Sequence, residues 1–288
     1  MFTSIRTLRS QNLRSAFNLC SYSNQSHNAA TERTHQTHFG YEMVDENIKT
    51  EKVREVFEKV ADSYDKMNDA MSLGIHRVWK NAFMQRLNPP HGTDLLDVAG
   101  GSGDIAFRFI DYLKHQPNSE NKSSHVTVCD INEAMLKVGQ KRAKKLGYTD
   151  DNQIKWIQGN AENLPIDSES VSAYTISFGI RNVTHIDKAL EEAYRVLKPG
   201  GRFLCLEFSH VNNEFLRKIY DSYSFSVIPV MGQIIAGEWK PYQYLVESIR
   251  KFPNQESFKR MIQDAGFRSV TYENLTFGAV AIHSGFKL

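Results

Sequence analysis

Between residues 94 and 208 the chain alternates two rhythms. Short apolar runs, Leu95 to Ala99, His125 to Ile131, Gln153 to Gln158, Val171 to Phe178 and Arg202 to Phe208, read as strands. Between them apolar residues recur every three or four positions, as in "THIDKALEEAYRVL", where Ile186, Ala189, Leu190, Ala193 and Leu197 share one helical face. Thr184 with Asp187 three residues later reads as a capping box, and Lys198-Pro199-Gly200-Gly201 as the stop of that helix. Strand, helix and strand repeated in this way predict an α/β fold with a doubly wound, parallel sheet. Sheets of this kind bind ligands beyond the carboxyl ends of their strands, near the topological switch point.

The flanks follow other rhythms. A polar stretch to about Asn47 precedes "KTEKVREVFEKVADSYDKMND", in which Val53, Val56, Phe57, Val60 and Tyr64 fall at helical spacing. A second helix is expected over "GIHRVWKNAFMQRL", ended by "NPPHG". After the sheet pattern come a helical, aromatic stretch from Asn212 to Phe267 and an alternating tail, "SVTYENLTFGAVAIHSGFKL", that reads as an antiparallel hairpin. With no repeat or linker in between, residues 38–288 form one expected domain carrying a helical segment at about 210–265 on its substrate side. Aromatic residues from Phe215 to Tyr244 fit either the roof of a groove for a lipid tail or an ordinary helical core with a dimer surface.

Composition adds one feature. The 288 residues are 41% apolar, enough for a substantial core, and the formal charge is +2. Residues 1 to 31 supply Arg6, Arg9 and Arg14 and no acid, so the remainder carries about −1. A near-neutral body argues against a nucleic-acid enzyme. The leader is rich in Arg and Ser and spaces Phe2, Ile5, Leu8, Leu13 and Phe17 along one helical side, the composition of a mitochondrial transit peptide. Three cysteines make no disulfide framework, and no Cys/His cluster has metal-ligand spacing. The longest apolar window, Phe225 to Gly237, is too short to span a membrane and is broken by Pro229 and Gly232, so any membrane contact is peripheral.

The candidate chemistry sits in "DLLDVAGGSGDIAFRFI", Asp94 to Ile110. Gly101-x-Gly103-x-x-Ala106 meets the relaxed dinucleotide fingerprint, and Asp130 ends the next strand where a ribose-binding acid belongs, which keeps a dehydrogenase in view. Asp130 lies 27 residues past Gly103, however, and Asp104 puts negative charge at the helix N-terminus that would otherwise receive pyrophosphate. A cationic, phosphate-free cofactor, S-adenosylmethionine, suits that loop better. Asp97 is read as orienting backbone.

Four stretches carry a specific resemblance: "YDKMNDAMSLGIHRVWK" (Tyr64 to Lys80), "DVAGGSGD" (Asp97 to Asp104), "SFGIRNVTHID" (Ser177 to Asp187) and "YRVLKPGGRFLCLEFS" (Tyr194 to Ser209). Together they resemble the UbiE/COQ5 family of ubiquinone and menaquinone C-methyltransferases, from about His38 to the C-terminus. The resemblance implies a class I S-adenosylmethionine-dependent methyltransferase fold, with cofactor contacts at Gly100, Gly101, Ser102, Gly103, Asp130, Asn160, Ala161 and Ser177. The implied substrate is a reduced benzoquinol with a methoxy group and a polyprenyl tail, methylated on a ring carbon for ubiquinone synthesis. Arg181, Asn182 and Tyr64 are the candidates for gripping the quinol oxygens. A guanidinium stays protonated, so it would stabilise a phenolate rather than take its proton. The sulfonium is itself the electrophile, so no metal is required. The resemblance further implies the mitochondrial matrix, peripheral attachment to the inner membrane, a multi-subunit complex of coenzyme Q proteins and a homodimer. A non-catalytic scaffold in such a complex is the rival from another class.

Overall fold

The computed structural model describes residues 36–60, 64–148, 153–237 and 239–288, without the side chains of 59, 60, 64–67, 235 and 236. Strands β1 (Gln36–Phe39) and β2 (Glu42–Asp45) pair as a small antiparallel ribbon within the stretch expected to be merely polar. Three helices follow: α1 (Glu46–Val60), α2 (Tyr64–Ser72) and α3 (Ile75–Leu87). The α3 helix ends where expected, with Asn88 in the left-handed conformation ahead of the proline pair.

The expected doubly wound sheet is present. In chain order its strands are β3 (Asp94–Val98), β4 (His125–Asp130), β5 (Ile154–Gln158), β6 (Val171–Ser177), β7 (Leu197–Phe208), β8 (Arg268–Leu275) and β9 (Val280–Phe286). They lie side by side as β5-β4-β3-β6-β7-β9-β8, with the first five parallel and the β8–β9 hairpin antiparallel. Winding proceeds outward from β3 to one edge and then from β6 to the other, so the switch point lies between these two neighbours.

Alternate residues of each strand serve opposite faces. Leu95, Val126 and Leu204 pack with α3, α4 (Asp104–Lys114) and α5 (Glu133–Lys145), through Phe83, Phe109 and Leu136 among others. Leu96, Ile176 and Phe203 pack with α6 (Ile186–Val196) and with α10 (Gln255–Asp264), through Leu190, Phe258 and Ile262. Burial on both faces is why the strands read as near-continuous apolar runs. Of the stretch expected to be helical after residue 212, α10 therefore belongs to the sheet layer. Only α7 (Glu214–Ser226), α8 (Ile228–Ala236) and α9 (Lys240–Lys251) gather beyond the strands' carboxyl ends, around Ile228, Tyr242 and Val246.

Two details around α6 differ from expectation. Its N-cap is His185, without a side-chain cap bond, and the hydroxyl of Thr184 is unpartnered. The carboxylate of Glu162 instead accepts the Thr184 and His185 N–H groups at 3.0 and 3.2 Å, supplying from a neighbouring loop what a capping box supplies locally. The helix also ends at Val196, before the Lys-Pro-Gly-Gly sequence. Leu197 is already extended, and Lys198 to Gly201 form an irregular start to β7, where Gly200 takes a φ of 82°.

Candidate functional site

A cavity of about 270 Å³ opens where β3, β4 and β6 end. Its floor is the loop after β3. At Gly100 a Cβ would lie 2.7 Å from the Val128 side chain and 2.8 Å from Asp97 Oδ2, so only glycine lets the chain turn this close to the strand. The Gly101 N–H donates to Asp130 Oδ2 at 2.9 Å and the Asn132 N–H to Asp130 Oδ1 at 2.8 Å. These bonds set the Asp130 carboxyl in the cavity wall with acceptor lone pairs to spare. Burial pushes its pKa up to about 6, against the pull of both N–H groups.

Asp97 is more deeply enclosed. Its Oδ1 accepts from Thr175 at 2.9 Å, while Oδ2, although buried, has no partner. Burial pushes its pKa up to about 7, with the nearby Asp104 and Asp130 adding to the rise. An unpartnered buried carboxylate oxygen on a cavity wall suits a cationic ligand group, and the α-ammonium and sulfonium of S-adenosylmethionine are of that kind. Asp130, one strand away, offers acceptors for two ribose hydroxyls. These residues fit that cofactor.

Backbone strain marks the same place. Ala99 and Phe178, directly after β3 and β6, take φ angles of 50° and 56° although neither is glycine. Such positions cost on the order of 1–3 kcal/mol each and cluster at functional sites.

The opposite wall comes from the loop after β6 and from the helices. Arg181 is 7% exposed and donates from Nη1 to Glu207 Oε1 at 2.9 Å and to the Phe178 carbonyl at 2.5 Å. Its Nε is buried and unpartnered. Glu207, 1% exposed in β7, also accepts the Phe208 N–H at 2.8 Å. Burial raises the Glu207 pKa and the Arg181 charge opposes that rise. The Tyr244 hydroxyl donates to Asn182 Oδ1 at 3.0 Å, and its ring stacks on Phe39 of the N-terminal ribbon at 4.2 Å. Helix α1 closes over this wall through His185, which bridges Glu162 at 2.7 Å and Glu46 of α1 at 3.1 Å.

Most of the residues expected at the site line this one cavity: Gly100, Gly101, Ser102 and Asp130 on the floor, Asn160, Ala161 and Ser177 along the rim, and Arg181 with Asn182 opposite. Gly103 is not in the wall. It takes a φ of 80° at the start of α4, and a Cβ there would meet Trp156 at 2.6 Å, so its role is packing. The side chain of Tyr64, the first residue of α2, lies outside those described.

The expectation for Asp104 needs correcting. Rather than leaving free negative charge at the loop, Asp104 is held by Lys80 at 2.7 Å, with Arg142 and Arg108 at 3.6 and 3.7 Å. Burial would raise its pKa, but Lys80 and Arg108 override that and hold it at about 2. Its charge is thus balanced and cannot by itself select against phosphate. The better discriminator is the orphaned Asp97 oxygen. Sequence reasoning also missed Glu207, Tyr244 and Glu162. For Glu207 a signal existed, an acid inside the apolar run "FLCLEF", whereas nothing local marks the other two.

The ubiE/COQ5 methyltransferase family matches residues 45–287. A Drosophila melanogaster protein named 2-methoxy-6-polyprenyl-1,4-benzoquinol methylase, mitochondrial, is 63% identical over 256 residues, covering 88% of this chain and 85% of that protein. The Homo sapiens protein of the same name is 57% identical, covering 89% of this chain and 86% of its own. Among solved structures, an S-adenosylmethionine-dependent methyltransferase of Thermotoga maritima superposes with a TM-score of 0.54 at 20% identity, over 81% of this chain and 99% of that one. A Haemonchus contortus phosphoethanolamine N-methyltransferase 2, solved with S-adenosylmethionine, gives 0.51 at 16% identity, over 72% of this chain and 52% of that one. The fold is therefore that of a class I methyltransferase, and the chain belongs to the ubiE/COQ5 methyltransferase family.

Proposed function

We propose that the chain transfers a methyl group from S-adenosylmethionine to a ring carbon of 2-methoxy-6-polyprenyl-1,4-benzoquinol, a step of ubiquinone synthesis. The relatives of that name support the substrate, at 57–63% identity over most of the chain. The observation that carries the reading is a set of four buried polar atoms without partners, Asp97 Oδ2, Ser177 Oγ, Arg181 Nε and Thr184 Oγ1, on residues that all line the one cavity. Buried polar groups are otherwise almost always paired, so orphaned atoms gathered on residues of one cavity point to a ligand there.

In this reading the glycine loop, Ser102, Asp130, Asn160, Ala161 and Ser177 hold the cofactor, whose sulfonium supplies an electrophilic methyl group. Asp130 accepts from the ribose hydroxyls. Arg181, held by Glu207 and with its Nε unpartnered, lines the cavity where it would stabilise the quinol oxygen, on which negative charge grows as the adjacent ring carbon is methylated. Asn182, oriented by Tyr244, and Tyr64 complete the grip on the quinol. The layer of α7, α8 and α9 roofs the tail, and exposed Phe215, Ile219 and Ile234 on α7 and α8 give that layer a surface for peripheral contact with the mitochondrial inner membrane, on its matrix face. No helix among the described residues is long and apolar enough to cross a membrane. Residues 1–31, outside the described residues, act as a cleaved transit peptide, and a homodimer and other coenzyme Q proteins are the proposed partners.

Calorimetric titration with S-adenosylmethionine and, separately, with a nicotinamide cofactor tests the reading, together with methyl transfer to a short-tailed benzoquinol under reducing conditions. Binding of the first cofactor only, and methylated product, are expected. Asp130→Ala should weaken cofactor binding by about 1.5–3 kcal/mol, the value of hydrogen bonds to a charged acceptor. Unchanged affinity in the folded variant would remove Asp130 from the site. Protein purified from mitochondria should begin between about residues 15 and 35. A Met1 terminus would end the transit-peptide assignment.

A further inference from the structure

The ring carbon attacks as the adjacent hydroxyl gives up its proton, and the residues assigned so far do not take that proton. Of the ionisable groups on the cavity wall, most are engaged: Asp104 by Lys80, Glu162 by His185 and two backbone N–H groups, and Asp130 by two others. Asp97 lies beneath the glycine loop, against Gly100, on the cofactor's side.

His76 is different. It sits in the first turn of α3, lines the cavity, and has a side chain only 12% exposed. The Ser72 hydroxyl donates to the Asn68 carbonyl at 2.6 Å, so its oxygen is left to accept, and His76 Nδ1 lies 2.8 Å away. That assigns the ring proton to Nδ1 and leaves a bare lone pair on Nε2. Among the described residues Nε2 has no hydrogen-bond partner. Its nearest carboxylate, Asp69, stands 3.7 Å away and is held by Arg77 through both oxygens, at 2.7 and 2.6 Å. The helix carrying the ring is pinned by Trp79 Nε1 donating to Thr276 at 2.8 Å and by Lys80 on Asp104 at 2.7 Å. The imidazole is thus oriented by one partner with its basic nitrogen unspent, as a proton acceptor requires.

We propose that His76 Nε2 is the acceptor of the quinol's hydroxyl proton during methyl transfer, an inference that rests on the benzoquinol reading of the site. The O–H bond breaks and its proton goes to Nε2. The oxygen's electron pair forms a carbonyl, and the ring's π pair bonds to the methyl carbon as the S–CH3 pair stays on sulfur, leaving a neutral thioether. The ring carbon then carries both hydrogen and methyl. Loss of that hydrogen to water restores the aromatic ring, and the carbonyl oxygen takes its proton back from His76. One proton is released overall and no oxidant or reductant is consumed.

The surroundings keep the ring neutral and ready. Burial lowers its pKa from the ordinary 6.5, and Lys80 and Arg77 of α3 lower it further, while Asp69 of α2 and Asp104 of α4 oppose them. Activity needs the unprotonated ring, so turnover should fall on the acidic side, below pH 6.5, as His76 takes up a proton.

The test is kcat for methyl transfer to a short-tailed benzoquinol, with the cofactor held saturating at each pH from 5 to 9, alongside calorimetric cofactor binding. His76→Asn keeps a donor for Ser72 and removes the base. It should lower kcat about a hundredfold or more, leave cofactor Kd within about twofold, and abolish the acidic limb of the profile. Added imidazole should raise the rate of His76→Ala about tenfold or more, in proportion to its neutral fraction. A kcat within threefold of wild type, a loss that follows cofactor Kd, a surviving acidic limb, or absence of imidazole rescue would each overturn the proposal. If the wild-type protein binds the cofactor but methylates no benzoquinol, it is the substrate reading that fails instead.

Discussion

The two walls of the cavity are built by different means. On the floor, Asp97 and Asp130 are set by groups of neighbouring strands and of the loop itself, Thr175 Oγ1, Gly101 N–H and Asn132 N–H. Across from them, Arg181 is held by the Glu207 carboxylate and the Phe178 carbonyl, and α1 by an imidazole between two acids and by Lys49 on the Val183 carbonyl. The floor follows from the fold: any chain that winds this sheet with glycines after its first strand brings a strand-two acid beside the loop. The roof is held by side chains from segments far apart in sequence, and can be altered one contact at a time.

The largest effect should come from breaking the roof's buried ion pair. Arg181→Ala leaves Glu207 enclosed without a counter-charge, which should cost about 3–5 kcal/mol of stability, read from denaturant unfolding. Replacing both partners, Arg181→Met with Glu207→Gln, should recover most of that loss, because no uncompensated charge remains. Arg181→Lys keeps a charge near Glu207 but loses the planar fork and its Nε edge. It should unfold nearly as wild type while turnover drops about a hundredfold, the value of one preorganised oxyanion donor, with cofactor affinity little changed. Near-normal turnover, or loss that merely follows cofactor binding, would restrict Arg181 to holding Glu207.

On the floor the sharper probe is pH. Asp97 is protonated below about 7 in the folded protein, and its free oxygen attracts a cation only when ionised. Cofactor affinity should therefore weaken as pH falls below 7, by up to about tenfold per unit. The same raised pKa makes the ligand-free protein lose stability as pH rises from the ordinary 3.8 toward 7, since the folded state holds a proton the unfolded chain releases. Asp97→Asn should bind the cofactor more weakly at pH 8 and with a flat dependence between pH 8 and about 6.5, above the range where Asp130 titrates. An unaltered slope in that variant would move the titration to another group.

Legibility in the sequence follows the same division. The sheet strands were readable to within a residue or so at most ends because both faces are buried, which turns each into an apolar run, and because Gly100, Gly101 and Asp130 are placed by the fold. The β1–β2 ribbon was not. Of its eight residues only Val44 is buried, so no alternation betrays it. Tyr244 and Glu162 were invisible for a related reason. Each acts on a residue more than twenty positions away, Asn182 or His185, through a contact that no local spacing encodes. Arg181 was visible through its motif, but its partner Glu207 sits in another motif 26 residues on, and only the strand order brings them together.

The smallest effect concerns the latch between α1 and the core. His185 donates toward Glu162 at 2.7 Å and Glu46 at 3.1 Å, and Glu162 chiefly, with Glu46, raises its pKa above the ordinary 6.5. A folded-state pKa above the unfolded one means the stabilisation is fully present below pH 6.5 and fades as pH rises through the raised value. The ring is 29% exposed and Glu46 28%, so solvent screening keeps the contribution under about 1 kcal/mol. His185→Gln should therefore differ from wild type by a few tenths of a kcal/mol to about 1 at pH 5.5 and by less at pH 8.5. Hydrogen exchange would localise the effect, because α1 supplies Thr50, Val53 and Phe57 to the cavity wall. Amides of α1 should exchange faster in the variant at pH 5.5 while those of β3 and β6 stay as protected as before. Equal exchange in α1 would show that the ribbon and Lys49, whose ammonium donates to the Val183 carbonyl at 3.2 Å, hold the helix without the latch.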